Sequence, residues 1–420
     1  MDVRISPQKL TGKIAAITSK SDAHRCLICA ALCDDTTDVV INDSNRDIEA
    51  TASCLRALEA EITQNGSIYS VTGIKSVPEN ALLDCGESGS TLRFMLPLAA
   101  ATGKEIVLVG SGRLPERPLS PLMEEMEQKG CKFSARKLPL TVSNGLNSGK
   151  YMLPGNVSSQ YITGLLLALP LLDGDSEITL TSKLESAGYV DMTIRTLSLF
   201  GIEIETLPNG VGYKIKGVQR FVSPKKITVE GDWSNAAFWL AAGAVSDGIE
   251  MSGLDIESAQ GDREIVKLLK RFGAKIAVDG TDIAVSSGEM SGITVDVSAI
   301  PDAVPILAVL ACAAGGETKI VNAARLRIKE SDRLKSVTAM ISALGGDITE
   351  LADGLVINGS GKLKGGVVDS FNDHRIAMAA AIASSICEQE VIITNAQAVE
   401  KSYPKFFEHF NMLGGEADVI

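Results

Sequence analysis

The feature that most constrains the fold of this chain is an internal repeat of about 70 residues. Amphipathic helices are predicted to begin at six Ser or Asp residues spaced 70 to 73 positions apart: Asp47, Ser120, Asp191, Asp262, Asp332 and Ser402. A Ser or Asp side chain at such a position accepts a hydrogen bond from the free N–H groups of the first helical turn. A fixed period of this kind is typical of a chain built from copies of one supersecondary unit.

Most of these helices are predicted to end at a glycine, which supplies the left-handed backbone conformation that stops a helix. The glycines are Gly130, Gly201, Gly273, Gly345 and Gly414. A short run of residues typical of a strand follows each of them, as in IEIETL and AKIAVDG. Each repeat is therefore expected to carry strands beside its amphipathic helix.

A second set of helices alternates with the first and is far more apolar. Their predicted starts lie near Ser21, Ser88, Ser158, Ser234, Asp302 and Asp373. Bodies such as YITGLLLALPLL and VPILAVLACAA have almost no polar face, which indicates buried helices. A βαβ unit with a hairpin fits the length of one repeat. Because the apolar helices must lie inside, we expect an inside-out α/β fold in which sheets surround a bundle of helices.

The length of 420 residues and the sixfold period together predict two domains of three repeats each. A boundary is expected near Val229, between the third and fourth repeats. The repeat alone does not assign the N-terminal strand to either half of the chain.

Composition excludes several classes of function. A net charge of −12 with 4% aromatic residues disfavours binding to nucleic acid or to an anionic membrane. The longest apolar stretches, 165–172 and 304–314, are shorter than the roughly 20 residues of a membrane-spanning helix. The first residues carry no signal-peptide pattern, so we expect a soluble, cytoplasmic protein.

Three of the eight cysteines, Cys26, Cys29 and Cys33, fall on one face of a predicted helix. Three thiolates on one face could bind a metal ion, but a closed structural site needs four ligands and no fourth stands nearby. The alternative, in which these small side chains face the core, is favoured. The sequence therefore predicts neither a metal site nor a disulfide framework.

Positively charged side chains are concentrated at the predicted helix starts, where the helix dipole disfavours them. They are Lys20, Arg25, Arg93, Arg117, Lys329, Arg333, Arg375 and Lys401. Each segment taken singly can be explained as a loop and a helix cap. Their recurrence in an acidic chain predicts instead a polyanionic ligand, bound where helix N-termini of both halves converge.

Ten segments, in order along nearly the whole chain, resemble the 5-enolpyruvylshikimate-3-phosphate synthase family of enolpyruvyl transferases. Among them are SKSDAHR (19–25), GESGSTLR (86–93), RLPERP (113–118), RIKESDRL (327–334) and NDHRIAM (372–378). The resemblance implies two inside-out α/β domains of three repeats, in agreement with the period. It also implies that residues 1–18 join 230–420 in domain I, that 19–229 form domain II, and that the active site lies in the cleft between them.

The family transfers the enolpyruvyl group of phosphoenolpyruvate to the 5-hydroxyl of shikimate 3-phosphate, through a tetrahedral intermediate, in the shikimate pathway to aromatic amino acids. The resemblance implies these ligands of shikimate 3-phosphate: Lys20, Ser21, Arg25, Ser158, Ser159, Gln160, Ser186, Tyr189, Asp302 and Lys329. It implies these ligands of phosphoenolpyruvate: Lys20, Gly89, Arg93, Arg117, Gln160, Arg333, Arg375 and Lys401.

The reaction needs a base at the hydroxyl and an acid at the methylene carbon, and two positioned carboxyl groups can divide that work. The resemblance implies that Asp302 is the base and Glu330 the acid, while Lys20 shares in proton transfer and stabilises developing charge. The sequence gives no sign of a metal ion or an organic cofactor. We expect a monomer that acts on small-molecule substrates.

Two other functions stay open at this point. The sister enzyme that uses UDP-N-acetylglucosamine as acceptor usually carries a reactive cysteine in the loop corresponding to GSGRLPERP (110–118), where this chain has none. A non-catalytic repeat scaffold that binds polyanions is the second alternative. It is disfavoured because the cations lie at helix starts beside Asp302 and Glu330, rather than along helix faces.

Overall fold

The computed structural model describes all residues from Met1 to Ile420, and the chain divides into two compact units. Unit 1 comprises Met1–Ile17 together with Glu230–Ile420, and unit 2 comprises Thr18–Val229. Thr18 therefore belongs to unit 2, whereas the sequence-based boundary falls after it. Because both chain termini lie in unit 1, that unit is assembled from two separate segments of chain.

Twelve α-helices of two alternating kinds make up the helical part of the fold. Those of unit 2 are α1 (Lys20–Ala31), α2 (Arg46–Ala57), α3 (Gly89–Ala101), α4 (Leu122–Gln128), α5 (Ser159–Ala168) and α6 (Ala187–Leu199). Those of unit 1 are α7 (Trp233–Val245), α8 (Ile265–Phe272), α9 (Val304–Ala313), α10 (Arg333–Ala343), α11 (His374–Ala383) and α12 (Phe406–Met412). Odd-numbered helices are buried on nearly every side and even-numbered helices on one face, so the predicted alternation is confirmed. None of these helices combines the length and the apolar character that crossing a membrane requires.

The strands are short and number twenty-four. The N-terminal segment of unit 1 contains β1 (Val3–Ile5) and β2 (Gly12–Ala15). Unit 2 contains β3 (Thr37–Val40), β4 (Glu61–Asn65), β5 (Ile68–Thr72), β6 (Ala81–Asp84), β7 (Ile106–Val109), β8 (Lys132–Phe133), β9 (Leu140–Ser143), β10 (Lys150–Leu153), β11 (Ser176–Leu180), β12 (Ile204–Thr206), β13 (Gly212–Ile215) and β14 (Lys226–Thr228). The rest of unit 1 contains β15 (Ile249–Ser252), β16 (Lys275–Asp279), β17 (Asp282–Ser286), β18 (Thr294–Asp296), β19 (Gly315–Val321), β20 (Asp347–Glu350), β21 (Leu355–Ser360), β22 (Gly366–Asp369), β23 (Val391–Thr394) and β24 (Ala417–Val419).

These strands form six four-stranded sheets of one topology, three in each unit. In the sheet β6-β7-β9-β8, strands β6 and β7 are parallel and are joined through the buried helix α3. Strand β9 pairs antiparallel with both β7 and β8. A helical crossover is the connection that parallel strands need, whereas antiparallel strands can follow each other directly. One repeat is therefore a βαβ unit completed by an α-helix and an antiparallel pair, as its length predicted.

Strands at the ends of the chain segments that form the two units, namely β1, β2 and β14, each complete a four-stranded sheet. Strand β1 lies between β23 and β24 and pairs antiparallel with both, so Val3 faces Ile393 on one side and Val419 on the other. Strand β2 pairs parallel with β15, and β14 pairs parallel with β3. The N-terminal strand, which the repeat alone did not assign, thus belongs to unit 1.

Each unit has a hydrophobic core of its own, made by the buried helices and one face of each sheet. Strands such as β7 and β9 alternate buried and partly exposed residues, as expected when one face of a sheet covers helices. This arrangement is consistent with the inside-out α/β fold predicted for each half. Cys26, Cys29 and Cys33 lie in the core of unit 2, where burial raises the pKa of each thiol.

Three predicted helix starts are wrong by about one turn. Helix α8 begins at Ile265 rather than Asp262, because the residues Gly261–Glu264 form a 3₁₀ turn before it. Helix α12 begins at Phe406 rather than Ser402, because Pro404 disfavours helical backbone at the residue before it. Helix α6 begins at Ala187 rather than Asp191, directly after a residue with a φ of 54° that ends the preceding loop. The predicted stops are confirmed: the five glycines have φ angles between 78° and 108°.

The closest helix crossing in unit 2 brings α3 and α5 together at Gly164. A Cβ atom at this position would collide with the backbone oxygen of Arg93 on α3. Glycine therefore lets the two backbones touch, which no other residue allows at this point. The crossing also fixes the first turn of α5 against α3, where Arg93 Nη1 donates to Gln160 Oε1 at 2.6 Å.

We expect Gly164→Ala to lower the free energy of unfolding by about 1–3 kcal/mol, because the added methyl group must separate two packed helices. The higher helix propensity of alanine offsets part of this loss. A denaturant titration followed by circular dichroism measures the effect. Ser198→Ala, on the exposed face of α6 in the same unit, is the matched control and should change stability by less than about 0.5 kcal/mol. Equal stability of the two variants would show that the crossing tolerates a side chain.

Candidate active site

The predicted site residues fall into two groups, one in each unit, and most of them lie at helix N-termini. Those of unit 1 are Asp302, Lys329, Glu330, Arg333, Arg375 and Lys401. Those of unit 2 are Lys20, Ser21, Arg25, Gly89, Arg93, Arg117, Ser158, Ser159, Gln160, Ser186 and Tyr189. The predicted catalytic residues are therefore divided between the units, since Lys20 belongs to one unit and both carboxylates to the other.

Helix caps set the positions of the charged side chains in unit 1. Asp332 caps α10, whose first residue is Arg333, and accepts a hydrogen bond from the backbone N–H of Lys335 at 3.4 Å. Asp373 caps α11 and accepts from the backbone N–H of Arg375 at 3.0 Å. Each cap satisfies a free N–H group and thereby fixes the turn that carries an arginine.

The guanidinium of Arg333 binds three carboxylates. Its Nη1 donates to Asp302 at 2.6 Å, its Nη2 to Glu330 at 2.6 Å and its Nε to Asp373 at 2.8 Å. The side chain of Arg333 is 1% exposed and that of Asp373 is fully buried. These carboxylates raise the pKa of Arg333 above its ordinary value despite burial. Arg333 therefore brings Asp302 and Glu330, the predicted base and acid, to one point.

Three cations surround the carboxylate of Asp302. Arg333 Nη1 lies 2.6 Å away, Arg375 Nη2 3.3 Å and Lys329 Nζ 3.5 Å. Burial alone would raise the pKa of Asp302, but the charges of Arg375, Lys329 and Arg333 hold that pKa well below its usual range. Asp302 is therefore ionised, and it can accept a proton only after its surroundings change.

The remaining predicted residue of unit 1, Lys401, lies beside the start of α11. Its Nζ donates to the backbone oxygen of Asn372 at 2.6 Å, and the residue is 6% exposed. Since Asn372 directly precedes the cap Asp373, Lys401 joins the same group as Arg375. Burial also lowers the pKa of Lys329 from its ordinary value. Ion pairs thus connect five of the six predicted site residues of unit 1, and Lys401 lies beside the helix that carries Arg375.

In unit 2, the first turns of α3 and α5 form a cationic group. The guanidinium of Arg117 lies against Gly89, so that a Cβ atom there would come within 2.6 Å of Arg117 Nη1. Arg93 donates to Gln160, and Gln160 Nε2 donates to Ser90 Oγ at 2.8 Å. Glycine at 89 therefore leaves space for Arg117 beside the free N–H groups of α3.

Arg25 forms the centre of a second group in unit 2, and its hydrogen-bond acceptors are neutral oxygens. Its guanidinium donates to Thr193 Oγ1 at 2.8 Å, to the backbone oxygen of Tyr189 at 2.9 Å, to Thr163 Oγ1 at 3.4 Å and to the backbone oxygen of Ser21. The residue is 2% exposed, and burial lowers its pKa to about 10. A buried cation whose hydrogen-bond acceptors are neutral can bind an anion, although the charge of Asp22 already acts on Arg25.

The other predicted residues of unit 2 lie at helix starts. Lys20 is the first residue of α1, and its Nζ donates to Asp47 Oδ2 at 2.8 Å. Ser158 caps α5 and accepts from the backbone N–H of Gln160 at 3.3 Å, with Ser159 as the first helical residue. Ser186, which is buried, precedes the first residue of α6. Together with Tyr189 it flanks the Arg25 group, because Tyr189 provides one of the oxygens that bind Arg25.

Sequence reasoning missed several partners that orient the predicted residues. The sequence analysis treated Asp373 only as a helix cap, although the motif that contains it also contains Arg375. In the structure Asp373 also accepts a hydrogen bond from Ser331 Oγ at 2.9 Å. Asp47, the partner of Lys20, was noted only as a helix start. Thr163 and Thr193, which bind Arg25, lie inside helices and carry no local signal in the sequence.

Comparison with known proteins identifies a family over nearly the whole chain. The family model described as EPSP synthase (3-phosphoshikimate 1-carboxyvinyltransferase) matches residues 5–410. The 3-phosphoshikimate 1-carboxyvinyltransferases of Clostridium novyi and Clostridium kluyveri are 46% and 45% identical to this chain. Each alignment covers 99% of this chain and 98% of the relative.

Solved structures agree with the fold. The EPSP synthase from Acinetobacter baumannii superposes with a TM-score of 0.82 at 26% identity and covers 100% of both chains. The enolpyruvyl transferase NikO from Streptomyces tendae gives a TM-score of 0.82 over 99% of this chain and 98% of its own; at 16% identity it supports the fold alone. On the family match and the identity of full-length relatives, this chain belongs to the EPSP synthase family.

Proposed function

We propose that this protein transfers the enolpyruvyl group of phosphoenolpyruvate to the 5-hydroxyl of shikimate 3-phosphate and releases phosphate, as the names of its relatives indicate. The observation that carries the proposal is the contact of one guanidinium, that of Arg333, with both Asp302 and Glu330 at 2.6 Å. Two carboxyl groups on one guanidinium are close enough to serve a single reacting centre.

The reaction requires one proton to leave the 5-hydroxyl and one to reach the methylene carbon of phosphoenolpyruvate. We assign removal of the hydroxyl proton to Asp302, which is ionised, and protonation of the methylene carbon to Glu330. Addition of the alkoxide oxygen to the enol carbon gives a tetrahedral ketal. In the elimination, Glu330 takes a proton back from the former methylene carbon and phosphate leaves, which restores the double bond. Lys20 shares in these proton transfers and stabilises the charge that develops.

Binding of the substrates activates Asp302 in this proposal. Lys329 and Arg375, which hold Asp302 ionised, are also predicted ligands of the anionic groups of the substrates. An anion bound to these cations reduces their attraction for the carboxylate, so the proton affinity of Asp302 rises when both substrates are present. The base is therefore weak before the substrates bind and stronger afterwards.

The anionic groups of the substrates match the two cationic groups of unit 2. We assign the phosphate of phosphoenolpyruvate to the first turn of α3, where Gly89 and Arg117 supply N–H donors and charge. We assign the carboxylate or phosphate of shikimate 3-phosphate to the group around Arg25, whose own acceptors are neutral. The proposal requires residues of both units, such as Lys20 and Asp302, to meet on the same substrates. That arrangement, the monomeric state and the cytoplasmic location stay predictions.

The sister reaction with UDP-N-acetylglucosamine has less support from this chain. The cysteine that follows the loop 110–118 is Cys131, which is buried and donates to the backbone oxygen of Gly145 at 3.2 Å. Burial raises the pKa of Cys131 to about 12, so the reactive thiolate is disfavoured.

We expect phosphate release only when phosphoenolpyruvate and shikimate 3-phosphate are both present, with Asp302→Asn and Glu330→Gln each at least about a hundredfold slower. Both variants keep the shape of the side chain and remove its ability to exchange a proton. Glu408→Gln, an exposed carboxylate on α12, is the matched control and should retain the wild-type rate. The measurement is a continuous assay of inorganic phosphate.

Two outcomes of this assay would contradict the proposal. Release of phosphate with UDP-N-acetylglucosamine, but not with shikimate 3-phosphate, would assign the sister reaction. Absence of release with either acceptor would leave the non-catalytic scaffold that binds polyanions.

We expect Arg333→Met to lower the free energy of unfolding of unit 1 by about 3–5 kcal/mol, because it leaves the buried carboxylate of Asp373 uncompensated. The double variant Arg333→Met, Asp373→Asn removes that charge and should recover part of the loss. Tryptophan fluorescence during denaturation reports on unit 1 specifically, since Trp233 and Trp239 are the two tryptophans of the chain. Lys335→Met, on the exposed face of the same helix, is the control; a loss of similar size there would refute the explanation.

A further inference from the structure

A chain of hydrogen bonds crosses the core of unit 2 and joins its three N-terminal helices. His24 Nδ1 on α1 lies 2.7 Å from Thr51 Oγ1 on α2, which lies 2.7 Å from Thr91 Oγ1 on α3. Thr91 Oγ1 donates to the side chain of Ser88, the cap of α3, at 2.8 Å. The first three residues are fully buried and Ser88 is 1% exposed. Polar groups so deep in an apolar core are costly unless each is hydrogen-bonded.

The single proton of each hydroxyl group fixes the direction of this chain. Thr91 Oγ1 donates to Ser88 Oγ or to the backbone oxygen of Asp47, which lies 3.4 Å away. In either case Thr51 donates to Thr91, and His24 donates from Nδ1 to Thr51. We therefore assign His24 the neutral form with its proton on Nδ1. Burial, reinforced by the charges of Lys20 and Arg25, lowers the pKa of His24 well below its ordinary value, which agrees with a neutral ring.

This series of hydrogen bonds ends at the first turn of α3, which carries Gly89 of the candidate site. Ser88 Oγ also accepts from the backbone N–H of Thr91 at 3.2 Å, which closes the first turn of α3 around Gly89. On its other side this turn is held by the bond between Ser90 and Gln160. The position of the Gly89 N–H group relative to Arg117 therefore depends on the contacts of Ser88 with the core.

We propose that His24, Thr51 and Thr91 are positioning residues that hold the first turn of α3 in the place where it binds the phosphate of phosphoenolpyruvate. They act through Ser88 and touch no substrate. Apolar side chains of similar size would fill the same core volume, but they would not fix the cap of α3. The inference rests on the proposed function, because it takes the Gly89 turn as the phosphate site.

The variant Thr51→Val tests the proposal, since it keeps the shape of the side chain and breaks both central links. We expect the KM for phosphoenolpyruvate to rise about tenfold, because part of the free energy of the two lost buried hydrogen bonds reaches the turn through Thr91, while the KM for shikimate 3-phosphate changes less than about twofold. Thr51→Ser restores the hydroxyl group and should return the KM for phosphoenolpyruvate to near the wild-type value. Thr91→Val breaks the hydrogen bond to Ser88 and should show the same selective rise in the KM for phosphoenolpyruvate. It replaces Thr51→Val as the test if Thr51→Val does not fold.

The control is Thr37→Val, a buried threonine of β3 in the same unit whose Oγ1 lies 2.7 Å from Ser223 Oγ and contacts no predicted site residue. It should lower stability in a denaturant titration as Thr51→Val does, but leave both KM values unchanged. Loss of stability with unchanged KM values in Thr51→Val, or an equal rise of both KM values, would overturn the positioning role. So would a Thr51→Ser variant that behaves like Thr51→Val. Absence of phosphate release from the wild-type protein would instead overturn the proposed function, and this inference with it.

Discussion

The rest of the structure depends on helices that have no polar face. A helix such as α7 or α9 is buried along almost its entire length, so its flanks must be covered by other parts of the chain. Each unit has three four-stranded sheets, and its buried helices share one hydrophobic core with residues of these sheets. These sheets need strands from distant parts of the sequence, which explains why β1 and β2 join unit 1 across more than 200 residues.

Burial of the helices concentrates polar chemistry at their ends. Free N–H groups remain at each helix start, and polar or charged side chains that cap them are tolerated there even when buried. In unit 1 these ends hold Arg333, which links α10 to Asp302 before α9 and to Asp373 at the start of α11. The same contacts thus stabilise the packing of three helices and set the distance between two carboxylates. A substitution that breaks these contacts therefore changes both the stability of unit 1 and the geometry of the candidate site.

The sequence predicts the parts of this structure that local physics determines. The period, the alternation of two helix types and the glycine stops follow from capping, hydrophobic pattern and left-handed backbone, each of which involves a few neighbouring residues. Contacts between distant residues have no such signal. The bond from Arg25 to Thr193 spans 168 positions, and sequence reasoning gave neither that partner nor the three carboxylates of Arg333. Helix α12 also begins later in the sequence than predicted, although Ser402 is a good cap, because Pro404 disfavours helical backbone at the residue before it.

Arg25 and Arg333 show two opposite ways to bury a guanidinium, and the difference separates their roles. Arg333 is bonded to three carboxylates and has a raised pKa, so its charge is neutralised by the protein itself. Arg25 is bonded to hydroxyl and carbonyl oxygens, and its pKa is lowered to about 10. Its burial becomes favourable when an anion binds. The sequence presents both residues as equivalent arginines at helix starts. Their partners support the proposal that Arg25 binds an anionic group of a substrate and that Arg333 holds Asp302 and Glu330 in place.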